Sequence, residues 1–292
     1  MNIKNFIEQH ALLSYFIITF FISWGSVILI LGPSRIIGTP QEREDLLYIL
    51  VFPLLLGPTI ASLTLTTSLY GKSGLKKLGS RLTTWKVKPQ WYLIALLLAP
   101  ILGFSTLILL LSTSEVYRPA ILTTDNKIAL IIVAFIIGLS AGIFEETGWT
   151  GFAIPELRKH YDVFTSGLIL GFMWGIWHYI QAIWGSGNDA GTFTMSLFLP
   201  LITFYVAVLP AYRIIMVWVY EHTKSLLIAM IMHASLTGNV IYMLLSPDLS
   251  ADRMALLTWY FVFALPLWLI AGFLIVIERR KTLSKTEKAV FV

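Results

Sequence analysis

The sequence predicts an all-α fold, a polytopic membrane bundle of about eight transmembrane helices with both termini cytoplasmic. Three observations lead there. Of the 292 residues, 57% are hydrophobic and only 13% are charged, with a mean hydropathy of +0.79, whereas soluble domains carry roughly a quarter charged residues. The apolar residues come in aperiodic runs of about twenty, the length that crosses a bilayer as a helix, and not in the short alternating strands of a barrel. The basic residues sit in loops beside those runs and are unequally shared between the two sides.

The first run, about 11–32, follows a short polar arm with Lys4. It is too long for a signal-peptide core and no small-residue cleavage site follows it, so it reads as the first span. A polar loop (Pro33–Asp45) leads to the second, about 46–70, which carries Pro53 and Pro58. The connector Gly71–Gln90 is the most basic, and its Leu75, Leu78 and Leu82 recur at helical spacing. It reads either as an amphipathic helix on the headgroups or as a solvated loop. The third span, about 91–113, opens on Trp91 and Tyr92 as interfacial anchors. The fourth begins near 127 and is open-ended as far as Leu157, with Pro155 near its end. The remaining four are expected at about 164–184, 194–220, 224–245 and 255–277.

With eight spans and the N-terminus inside, the cytoplasmic face holds Lys4, six basic residues of the 71–90 connector, Arg158, Lys159, Lys224 and five tail residues from Arg279 to Lys288. The other face holds only Arg35, Arg43, Arg118, Lys127 and Arg253, so the positive-inside rule supports both count and orientation. The +5 formal charge is therefore a topology signal, and no nucleic-acid partner is expected. Membrane lipids are the partner that the composition implies. The absence of cysteine excludes disulfides, a thiol nucleophile and thiolate metal sites. It also excludes prenylation of the chain itself. No soluble domain, low-complexity tract or internal repeat separates out, so 1–292 reads as one integral membrane domain.

Ionisable residues inside spans are costly and mark functional sites. Glu145 and Glu146 end the apolar run that starts near Ile128. On a helix, Glu146 shares a face with Thr150, while Glu145 points about 100° away and pairs with Trp149 at i,i+4. Two such carboxyls either serve as acid–base groups or face water at a helix end. His178 lies one turn after Trp174, and His233 one turn before Thr237, with Asn239 displaced by more than a quarter turn. Each histidine alone could be a satisfied core group. Two intramembrane histidines together with a glutamate pair are harder to explain that way. Arg213, in apolar surroundings on the sixth span, either pairs with a buried carboxylate or snorkels to the headgroups near Glu221.

These residues resemble the motifs of the CAAX protease and bacteriocin-processing (CPBP, or Abi) family of intramembrane glutamic endopeptidases, which includes CAAX prenyl protease 2 and lysostaphin-resistance-like proteins. The family's two glutamates followed by arginine correspond to Glu145-Glu-Thr-Gly-Trp-Thr150, its aromatic four before histidine to Trp174 and His178, and its histidine four before Asn or Asp to His233 and Thr237. The resemblance covers about 125–245, the expected catalytic core, and eight spans agree with the family fold. It implies that Glu145 and His178 activate a water, that Glu146 supports them, and that His233 and Thr237 hold the oxyanion. It implies no cofactor. Thr150 stands where the family has arginine, and Arg213 is the candidate to supply that cation to Glu146 or Glu145. Asn239 could replace the missing amide only if the helix is distorted near Gly238.

The expected function is thus an intramembrane endopeptidase, of CAAX or bacteriocin-processing type, with a cavity open to the cytoplasm of a cell's plasma membrane. Its substrate is a peptide or the C-terminal tail of a protein, prenylated or not. Two alternatives keep the same residues: a zinc enzyme using His178, His233 and Glu145, and a catalytically impaired scaffold or self-immunity factor. A transporter fits less well, since no repeat halves are visible.

Overall fold

The computed structural model describes residues 3–241, 247 and 253–290. Among these the chain is helical with no β-strand, only isolated bridges such as that between Gly187 and Phe193. The helices are α1 (Ile3–Gln9), α2 (Ala11–Leu31), α3 (Pro40–Leu82), α4 (Pro89–Leu111), α5 (Ala120–Thr123), α6 (Lys127–Gly148) and α7 (Ile154–Leu157). They continue with α8 (Val163–Trp177), α9 (Tyr179–Trp184), α10 (Met195–Thr203), α11 (Leu209–Thr223), α12 (Leu226–Leu236) and α13 (Arg253–Val290). Seven segments are long and apolar enough to cross a membrane, the fourth running unbroken from Lys127 to Leu157. Of the expected span at 224–245, the described part is the apolar helix Leu226–Leu236 and the wide turn Thr237–Ile241 that continues it. Residues 242–245 of that expectation lie outside the described residues.

Sequence-coded caps set where the helices begin. Thr39 and Glu42 form a reciprocal capping box ahead of α3, with Pro40 in the first turn. Asp162 accepts the Thr165 amide at the start of α8 (2.8 Å), and those amide bonds hold its carboxyl below the usual range. Gly71, at φ 58°, adopts a conformation costly for any residue with a Cβ and breaks α3 in two. Beyond it, 72–82 is helical, so the basic connector starts as an amphipathic helix. Its Leu78 is buried on Leu226 and Met230 of α12.

Prolines inside spans remove the amide that would bond the carbonyl four residues earlier. In lipid that carbonyl must find another donor. Here donors come from other helices. Pro58 frees the Leu54 carbonyl, which accepts the Ser23 hydroxyl of α2 (2.7 Å). Pro100 frees Leu96, which accepts Ser235 of α12 (2.7 Å). Pro155 frees Gly151, which accepts the Arg81 guanidinium (2.7 Å).

Small residues bring backbones together where lipid provides no hydrophobic drive. A Cβ on Gly142 of α6 would lie 2.5 Å from the Met230 carbonyl of α12, and one on Gly171 of α8 would lie 2.5 Å from the Pro210 Cα. Through these contacts α6 packs on α12 and α8 on α11, which sets the four helices that carry the ionisable groups side by side. Because the Gly142 clash is with backbone, Gly142→Ala is expected to cost about 1–3 kcal/mol. Reversible unfolding in detergent checks this, with Gly25→Ala as the control, since nothing lies within 4 Å of a Cβ there.

Candidate active site

Glu145 and Glu146 lie in the last turn of α6. A wide turn, Trp149–Ala153, follows with i to i+5 bonding, and the Trp149 amide bonds both glutamate carbonyls. Two more wide turns occur, at Phe204–Val208 and Thr237–Ile241. All three bear on the site: the first follows the glutamates, the second carries Tyr205, and the third begins with Thr237. Such single wide turns are frequent where a helix must re-aim a side chain.

The two carboxylates have different fates. Glu146 is consumed by partners. The Arg213 fork from α11 binds it bidentately, Nη1 to Oε2 at 2.8 Å and Nη2 to Oε1 at 2.9 Å. His233 Nδ1 of α12 is 2.6 Å from Oε1, and the Thr150 hydroxyl donates to Oε2. Arg213 and Glu146 are both 0% exposed. The guanidinium also lies 4.1 Å above the Trp174 ring. Arg213 therefore meets Glu146, not Glu145, and does not snorkel.

Glu145 keeps one oxygen free of hydrogen bonds among the described residues. Its Oε2 accepts the indole N–H of Trp174 (2.7 Å) and of Trp149 (3.2 Å). Its Oε1 is 3.7 Å from His233 Nε2, too far for a direct hydrogen bond. His178, between α8 and α9, has Nδ1 2.8 Å from the Trp174 carbonyl. A carbonyl only accepts, so Nδ1 carries the hydrogen, and the neutral ring leaves a lone pair on Nε2. The ring stacks on Tyr205 at 4.8 Å and meets Trp177 edge-on at 4.7 Å. The Thr237 hydroxyl is buried with no hydrogen-bond partner among the described residues.

Glu145, His178, His233 and Thr237 line one cavity of about 60 Å³, with Trp174 and Tyr205. That is room for more than one water, and the walls offer the polar partners a buried water requires. Glu146 and Arg213 stand behind it. Asn239 does not reach it, because its amide donates to the Ser235 carbonyl of its own helix (2.9 Å) despite the distortion beside Gly238. No group of three His, Cys, Asp or Glu side chains converges as a metal-binding set among the described residues.

Val51, Gln181 and Tyr205 are shared with a second, mainly apolar cavity of about 270 Å³ that extends past Leu47 and Trp184 to Arg43. This cavity points to the bundle end that carries the 32–39 and 185–194 connectors. The basic 72–90 connector is at the other end. The sequence expectations of a cytoplasmic basic end and a cytoplasmic cavity mouth thus point to opposite ends of this structure. Sequence reasoning also missed Tyr205 and Gln181, which carry no charge and stand in no motif. Trp149 was visible as the i+4 partner of Glu145.

Residues 127–238 match the Rce1-like family of type II CAAX prenyl endopeptidases. That is the group to which the three motifs pointed. A CAAX prenyl protease 2 from Methanococcus maripaludis is 30% identical over 102 residues, 35% of this chain. The alignment spans 37% of that relative's length, little more than a third. The Rce1-like segment contains Glu145, Glu146, His178, Arg213, His233 and Thr237, and thus every ionisable group of the buried cluster. It excludes α3, whose Val51 and Leu55 complete the cavity wall.

Proposed function

We propose that this protein is an intramembrane glutamic endopeptidase that cleaves a peptide or the C-terminal tail of a protein substrate, in a cell's plasma membrane. One observation carries the reading: of two adjacent buried glutamates, only Glu145 presents an oxygen to a small cavity that also receives two imidazoles and an unpartnered hydroxyl. A water held between Glu145 Oε1 and His178 Nε2 attacks the scissile carbonyl carbon and gives its proton to one of them. The carbonyl oxygen takes the electron pair and becomes an oxyanion. The proton then passes to the amide nitrogen, the C–N bond breaks, and the oxyanion collapses to a carboxylic acid.

Two donors face the oxyanion. His233 donates from Nδ1 to Glu146, and with both nitrogens protonated it also presents Nε2–H to the cavity. Thr237 supplies the second donor in place of the family's amide or acid. Its hydroxyl has no other partner among the described residues, so Thr237→Val is expected to leave stability unchanged while lowering turnover roughly 100- to 1,000-fold. A thermal melt beside single-turnover cleavage separates the two effects.

The direct test is cleavage by the purified protein in liposomes, comparing prenylated with unprenylated C-terminal peptides, with and without a strong zinc chelator. Cleavage of either peptide that survives chelation is the expected result. Cleavage lost on chelation and restored by zinc supports the zinc alternative instead, and no cleavage of any peptide supports the scaffold. On the positive-inside reading the 72–90 end and both termini face the cytoplasm, with the Arg43 cavity on the opposite face. Because the chain has no cysteine, Ser80→Cys and Ser112→Cys report this orientation with a membrane-impermeant maleimide. Only the Ser112 variant should label on intact cells.

A further inference from the structure

A cavity larger than the two already described lies away from the glutamates. It has a volume of about 780 Å³ and lies at the other end of the bundle, between the last turns of α3, the 151–159 segment and the end of α11. Its basic lining is Lys77, Arg81, Arg158, Lys159 and Lys224, against only Glu156 and Glu221. The excess of three positive charges sits in a concave site, where field lines concentrate.

Internal pairing does not use that charge up. Glu221 is shared between Lys224 (2.7 Å) and Arg158 Nε (3.5 Å), and Glu156 takes Lys159 (2.6 Å). The Arg158 Nε is buried without a hydrogen bond. Arg81 is committed to the Gly151 carbonyl and the Tyr220 hydroxyl. Lys77 is exposed, and no acidic side chain among the described residues lies within ion-pair distance of it. The arrangement suits an anion with several oxygens.

Its location narrows the ligand. The lining residues come from the ends of three membrane-crossing segments, the depth of phospholipid headgroups. Tyr70, at its rim, carries Lys159 at 5.3 Å over its ring. Ile60, Leu63 and Tyr70 lie at i, i+3 and i+10 on α3, and they are 39%, 42% and 41% exposed. They form an apolar track running from mid-membrane to the cavity mouth. A bare phosphate would use the charges and leave that track bare, whereas an acyl chain would cover it.

We propose that this cavity binds a phosphate-bearing anion, which in the membrane is the headgroup of an anionic phospholipid. The site is separate from the glutamate cavity, so it stands or falls independently of the peptidase reading. The test uses the full chain in detergent and follows its thermal melt on adding phosphatidylglycerol, phosphatidylcholine or inorganic phosphate. Phosphatidylglycerol should raise the melting temperature by several degrees and phosphatidylcholine should not. Lys77→Glu should weaken the phosphatidylglycerol response at least tenfold in lipid concentration, as should Lys77→Gln with Lys159→Gln. Lys77 is exposed, so its substitution leaves the fold intact. A response to inorganic phosphate that the variants also weaken would support the anion site with free phosphate as its source. Equal responses to the two lipids, or a phosphatidylglycerol shift unchanged in Lys77→Glu, would overturn the proposal.

Discussion

Glu145→Gln is expected to lower peptide cleavage roughly 100- to 10,000-fold, the contribution of a positioned general base, while leaving the fold intact. The side chain keeps its shape, and its oxygen can still accept the indole hydrogens of Trp149 and Trp174. What it loses is the ability to take a proton from a water in the cavity. Single-turnover cleavage and a thermal melt on the same preparation measure both. Undiminished turnover would remove Glu145 from the chemistry and end the glutamic mechanism.

Arg213 gives the opposite pattern. Arg213→Met leaves Glu146 buried and charged with only His233 and Thr150 beside it, a change that typically costs about 3–5 kcal/mol. Both stability and cleavage should fall. Arg213→Lys should recover part of each, because a lysine supplies the charge but not the planar fork that meets both carboxylate oxygens. The diagnostic variant is the relocation Arg213→Met with Thr150→Arg, which puts the guanidinium one turn after Glu146 on its own helix. If the requirement is a cation against Glu146 and not a particular helix, the double variant should be more stable and more active than Arg213→Met alone. A double variant no better than the single one would falsify that equivalence.

Much of this was legible in the sequence because membranes impose simple rules. Run length exposed the spans, and the cost of charge in lipid singled out Glu145, Glu146, His178, His233 and Arg213. Helical periodicity gave the pairs Glu145–Trp149 and Glu146–Thr150, and both are hydrogen bonds in the structure. What stayed hidden depends on the bundle as a whole. The choice of Glu146 as the partner of Arg213 follows from how α12 seats against both α6 and α11, which no local pattern states. The Thr237 and Tyr205 positions depend on wide turns that leave no signature in composition. Asn239 was a reasonable stand-in for the family amide, but its own helix offers a nearer carbonyl.

The proline contacts carry a consequence for biogenesis. Ser23 and Arg81 are already made when the ribosome reaches Leu54 and Gly151, so those two carbonyls meet a waiting donor. Leu96 does not, since Ser235 lies 139 residues downstream. Helix α4 therefore enters the bilayer with one acceptor unanswered, and that acceptor is met only when α12 arrives, carrying His233 to Glu146. Docking of α4 and completion of the buried ionisable cluster are in this way expected to coincide, late in translation.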